Sequence, residues 1–190
     1  MNKQMLQFAF GILLVTGIFS SCKKDKSAPE ENDEEVITTM DVVIKEEGDS
    51  SATTYSFDDP DGPGGNAPTI ASIPLAPNKV YDVEVVLLNK TTNPAAVVSE
   101  EVLAEAVDHR FYFEVSGANL TVSDLDQDAN GIPVGLHSKW TTGAASTGKI
   151  DITLRHYPDG GKEISDPVTS PKSGTDMSTK DIGGFSVTIQ

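Results

Sequence analysis

The chain has 190 residues, 29 acidic against 14 basic, for a formal net charge of −15, and a single cysteine. So acidic a surface repels phosphate backbones and anionic headgroups, which excludes nucleic acid as a partner and electrostatic adhesion to a bilayer. One thiol forms no disulfide within the chain, so stability must come from packing or from bound metal.

Residues 1–21 have the layout of a secretory signal: Lys3 is the one charge, Met5 to Phe19 is almost wholly apolar, and Ser20 and Ser21 put small side chains beside a cut. The apolar run is short for a bilayer span. Cys22 follows immediately, where a lipoprotein-type signal peptidase requires a cysteine already alkylated by a diacylglycerol, and Phe19-Ser20-Ser21-Cys22 resembles that lipobox. Cys22 is therefore the expected lipidation site, fastening the chain to a membrane of the cell envelope. Loss of Lys3 with the signal moves the net charge from −15 to −16. Residues 22–35, CKKDKSAPEENDEE, offer no apolar run to bury and predict an extended tether reaching roughly 45 Å. Residues 36–190 are then one domain of ordinary size.

From Val36 the pattern changes to period two: Val36, Thr38, Met40, Val42 and Ile44 fall on one face, with Thr39, Asp41 and Lys45 on the other. That is a half-buried strand. Tyr55 to Phe57 is too short to assign by itself, and Asp58 to Pro68, DDPDGPGGNAP, is a long exposed loop of turn residues. Lys79 to Asn89 alternates again through Tyr81, Val83, Val85 and Leu87, while Val86 and Leu88 make its second face apolar, which predicts a central strand. Pro94 to Asp108 carries helical logic: Ser99 as N-cap, Glu100 and Glu101 in the first turn, and a stripe of Val102, Leu103, Ala106 and Val107. Strands resume at Phe111 to Val115 and Leu120 to Val122, with Ser116 to Asn119 as a hairpin connection, and then at Val134 to Thr142, Lys149 to Tyr157 and Phe185 to Ile189. Pro158 to Gly184, rich in Gly, Pro, Ser and Asp, predicts a mobile excursion.

Seven or eight strands with turn-rich connections and one short surface helix predict an all-β fold, an antiparallel β-sandwich of immunoglobulin-like type. A parallel sheet would need a helix between successive strands, and the chain does not supply them.

Two groups of residues point to cations. Asp124, Asp126, Asp128 and Asn130 place oxygens at alternate positions before Gly131, the opening of a calcium loop, although His137 stands where a closing glutamate would be. The same residues also suit a hairpin turn. Glu101, Glu105 and His109 recur every four residues on the helix and its exit, and His156 has the core-facing parity of Ile152 and Leu154 as His109 has that of Phe111 and Phe113. Should those strand ends adjoin, imidazoles and carboxylates would make a zinc-type site. Catalytic signatures are absent from the sequence: no H-E-x-x-H, no G-x-S-x-G and no phosphate-binding glycine loop. Trp140, the one tryptophan, is expected to fill the core.

The segments EEVITTMDVVI, FDDPDG, LLNKTTNPA, HRFYF, DLDQDANGIPVGL and TTGAASTGKIDITLRHYPD together resemble a family of small bacterial outer-membrane lipoproteins, often labelled "type 1 periplasmic binding fold superfamily protein". The resemblance implies a lipid-anchored domain associated with a TonB-dependent receptor. The fold in that label is a two-lobed α/β architecture, which neither the length nor the strand pattern can build. The expected function is that of a non-catalytic envelope protein that binds a cation or an outer-membrane transporter through acidic loops. The alternative is a structural or adhesive sandwich with no small ligand.

Overall fold

Alternating apolar side chains become two facing sheets in the computed structural model, which describes residues 35–61, 65–157, 161–169 and 184–190. The signal segment, Cys22 and the tether as far as residue 34 lie outside the described residues. Strands are numbered in chain order. The first sheet runs β3 (Thr69–Ile70), β2 (Thr53–Asp58), β1 (Thr39–Glu46), β5 (Val80–Asn89), β9 (His137–Thr142), β8 (Leu120–Ser123), and β6 (Ala96–Val97) pairs with the end of β5. The second runs β4 (Ile73–Leu75), β11 (Phe185–Ile189), β10 (Ser146–His156), β7 (His109–Ser116). Pairing is antiparallel except between β4 and β11, where Ile73 lies opposite Val187 in parallel register.

The core lies between the sheets. Met40, Val42 and Ile44 of β1, with Tyr81, Val83, Val85 and Leu87 of β5, face Phe111 and Phe113 of β7 and Ile150, Ile152 and Leu154 of β10 within one apolar cluster. Each such side chain, fully buried, contributes about 1.5 to 3 kcal/mol. Trp140 is wholly buried among them. β5 is central in its sheet, flanked by β1 on one edge and by β9 and β6 on the other, and Val86 and Leu88 on its second face are half-buried.

Four features differ from the sequence expectations. Eleven strands stand among the described residues instead of seven or eight, because β3, β4 and β6 span only two or three residues and are too brief to show a period. Ser116 to Asn119 is no hairpin: β7 and β8 belong to different sheets, and the chain crosses between them with Gly117 at φ +78°. Gly148 of β10 accepts this crossing because a Cβ there would overlap the backbone of Ser116 and Ala118.

The helix α1 is shorter than expected, Val98–Ala104, and begins behind Val97 with no side-chain cap. Ser99 instead accepts a hydrogen bond from the Leu87 N–H at 3.3 Å, which ties the helix to β5. Val98 and Val102 are buried, whereas Leu103 and Val107 of the expected stripe are exposed.

Residues 161–169, part of the expected mobile excursion, are tied to β7. Arg110 donates from Nη1 to the Glu163 carbonyl at 2.6 Å and from Nη2 to the Asp166 carbonyl at 2.7 Å. The Phe113 N–H reaches the Val168 carbonyl at 2.8 Å. The Leu125 to Leu136 connection guards the same strand edge, where the Phe111 N–H donates to Val134. No helix among the described residues is long and apolar enough to cross a membrane.

Candidate metal centre

Antiparallel register between β7 and β10 puts the first residue of one strand opposite the last residue of the other, and those two residues are His109 and His156. Their side chains share the inward face with the pairs Phe111–Leu154 and Phe113–Ile152, so both imidazoles cap one end of the core. His109 is fully buried and His156 nearly so. The rings stack with centroids 4.6 Å apart and an interplanar angle of 4°.

Glu35, just upstream of β1, brings a carboxylate to this end. Its Oε1 lies 3.0 Å from His109 Nε2, and its side chain is 8% exposed. The three side chains each offer a donor atom, all within 4.8 Å of one another, and together they could hold a metal ion. They come from three segments remote in sequence, joined only by the fold.

Hydrogen bonding at His109 decides what its second nitrogen can do. Nδ1 sits 3.1 Å from the Glu105 carbonyl, an acceptor only, so Nδ1 is the donor and in the neutral ring Nε2 carries the lone pair. A backbone carbonyl on the far nitrogen is the usual way in which a metal-ligating histidine is oriented. Nε2 then faces a carboxylate oxygen, lone pair toward lone pair, without hydrogen-bond alignment. Both His109 Nε2 and Glu35 Oε2 are buried with no hydrogen-bond partner.

With the ring neutral, two electron-pair donors stand 3.0 Å apart in a buried site, a contact that a proton or a metal ion between them relieves. Bonds of about 2.0 to 2.1 Å at a tetrahedral angle set donor atoms about 3.3 Å apart, close to this separation. Ligation by both rings requires them to tilt from parallel, because each lone pair lies in its ring plane. That is a side-chain rotation, with the strand register unchanged. Three protein donors leave one tetrahedral position for water or an outside ligand.

The other expected ligands are placed differently. Glu101 and Glu105 have exposed side chains on α1 and the turn after it, and Glu105 contributes its carbonyl, not its carboxylate, to His109. In the Asp124 to Gly131 loop three carboxylate oxygens, one of Asp126 and both of Asp128, are already engaged. Asp126 Oδ1 accepts the N–H groups of Gly135 at 2.8 Å and His137 at 2.9 Å. Asp128 Oδ1 accepts those of Asn130 at 2.8 Å and Ile132 at 2.9 Å, and its Oδ2 pairs with Lys162 Nζ at 2.9 Å.

Lys162 therefore sits where a calcium ion would need to approach, and its other hydrogen bond goes to the Ala106 carbonyl at 2.6 Å. Burial pushes the Asp128 carboxyl upward, but the N–H of Ile132, the Lys162 ammonium and the N–H of Asn130 outweigh it and hold the group below its ordinary range. For Lys162 burial wins and lowers its value, against the opposing pull of Asp128. Asp124 adopts φ +51° at the lip of an open groove of about 450 Å³ on the outer face of the first sheet, beside His137 and Lys139, and Asn130 is exposed. The four residues form a hydrogen-bonded turn.

In the loop that opens at Asp58, Asp58 Oδ1 accepts from Thr39 and from Lys90, each at 2.6 Å, and Asp61 Oδ2 accepts the Asn66 N–H at 2.9 Å. Sequence reasoning missed Glu35, which it left in the tether. Nothing in local spacing distinguishes it from the acidic residues before it; only the cross-strand register of the histidines does. Comparison with protein-family models, with curated proteins and with solved structures gives no match to this chain.

Proposed function

We propose that this chain is a lipid-anchored, non-catalytic cell-envelope protein whose sandwich holds a transition-metal ion through Glu35, His109 and His156. The observation that carries the reading is the buried meeting of His109 Nε2 with the Glu35 carboxylate, where Nε2 and Oε2 have no hydrogen-bond partner. Two imidazoles and one carboxylate suit zinc, whereas calcium takes six to eight oxygens. The signal layout ahead of Cys22 supports the anchor, and the acidic surface favours a basic partner, for which an outer-membrane transporter is the proposed class.

The test uses the full chain in detergent. Calorimetric titration is expected to show one zinc ion per chain in the wild type and loss of at least 100-fold in affinity in His156→Ala. Equal affinity in the variant, or no zinc uptake by the wild type, refutes the metal reading. Radiolabelled palmitate should enter the wild type and not Cys22→Ser; label persisting in the variant refutes the anchor.

A further inference from the structure

The three donors do not have equal standing in the fold. His109 and His156 are strand residues, each held in the β7–β10 ladder by register with the other. Glu35 belongs to no strand. The first backbone hydrogen bond between described residues at this end runs from the Thr38 N–H to the Leu88 carbonyl at 2.9 Å, and β1 begins only at Thr39. Val36 is 56% exposed, and Ile37 is partly buried against the core. Upstream of Thr38 the chain is thus tied to the sandwich by the side chain of Ile37 and by the carboxylate of Glu35.

We propose that the ion acts as a cation-dependent clamp on the leader: when bound, it fastens the chain entering β1 to the histidine end of the sandwich, and when removed it releases residues 35–37. The inference rests on the metal reading above and adds what occupancy controls. The geometry is asymmetric in the way a clamp requires. Two ligands stand on a fixed platform, the third on the segment to be held, and the third has one carboxylate oxygen, Oε2, buried without a partner.

Release costs the sandwich little, since every strand pair lies downstream of Glu35. The ion therefore sets how far along the entering chain the sandwich takes hold, at Glu35 when it is bound and at the Thr38 hydrogen bond when it is absent. The ligand class is a divalent transition ion, with an imidazole pair as the permanent site and a carboxylate as the movable arm.

The experiment is hydrogen–deuterium exchange of the full chain in detergent, with and without zinc chloride, on the wild type and on Glu35→Gln, which keeps the side-chain shape but removes the anionic donor. In the wild type zinc is expected to slow exchange of the Thr38 amide, the first that is hydrogen-bonded at this end, at least tenfold by suppressing its fraying. In Glu35→Gln zinc still binds through the histidines, at least tenfold more weakly, and at saturation leaves that amide as fast as in the metal-free protein. Zinc bound by the wild type with unchanged exchange at Thr38 overturns the clamp while leaving the metal site standing. So does a Glu35→Gln protein that matches the wild type. Absence of bound zinc in the wild type removes both.

Discussion

The Asp124 to Gly131 loop and the Glu35–His109–His156 end are both rich in metal-ligating side chains, yet they differ in how the acids and His109 are engaged. In the loop two carboxylates close a turn: four backbone N–H groups and one ammonium bond to Asp126 Oδ1 and to both oxygens of Asp128. At the histidine end His109 Nε2 and Glu35 Oε1 lie 3.0 Å apart inside the protein, and His109 Nε2 and Glu35 Oε2 have no hydrogen-bond partner. Spacing along the chain identifies donors. Only the fold shows which lone pairs remain for an ion.

That contrast can be broken in several ways, the largest at the loop. Asp128→Ala removes the acceptor that balances Lys162, whose side chain is 2% exposed, and leaves an uncompensated buried ammonium. The expected loss is about 3 to 5 kcal/mol in urea unfolding. A loss under 1 kcal/mol would show that the pair is not buried in solution.

At the histidine end, zinc at about 100 times its Kd should add about 2.7 kcal/mol, or roughly 5 to 10 °C in Tm for a domain of this size. Calcium should add nothing. A calcium-specific rise would reverse the comparison between the two regions.

A smaller effect follows from protonation of the loop. Because the folded protein holds the Asp128 carboxyl below its ordinary value, the unfolded chain binds the proton more readily. Its contribution to stability is therefore fully present above about pH 4, the unfolded value, and is lost as pH falls through the folded one. Unfolding midpoints between pH 6 and 2 should fall more steeply for the wild type than for Asp128→Asn, and parallel curves would contradict the assignment. Smallest of all, Asn130→Ala changes an exposed side chain and should alter stability by less than about 0.5 kcal/mol without affecting zinc uptake.

How far the sequence could lead is clearest in particular residues. Period-two burial in β1 and β5, the central position of β5 and the buried Trp140 were all legible, because each depends on local alternation and on apolar character. Parity also placed His109 and His156 on the inward side of their strands. What parity cannot express is which strands are neighbours. The register that sets the two histidines opposite each other, and the crossing at Gly117 that sends β8 into the other sheet, are long-range facts.

Local signals also misled where tertiary contacts took over a side chain. Ser99 has the makings of an N-cap, yet its hydroxyl meets Leu87 of β5. The Asp124 to Asn130 run spells a calcium loop by residue type, while the ammonium that fills its place comes from Lys162, 34 residues downstream of Asp128. Glu35 was beyond reach for the same reason: its role depends on two strands that begin and end far along the chain.

X-ray absorption at the zinc edge of the loaded full chain tests the central claim most directly. The account predicts a nitrogen and oxygen shell at about 2.0 to 2.1 Å with the multiple-scattering signature of two imidazoles, reduced to one in His156→Ala. A shell of oxygens alone, or two imidazoles persisting in that variant, would contradict it.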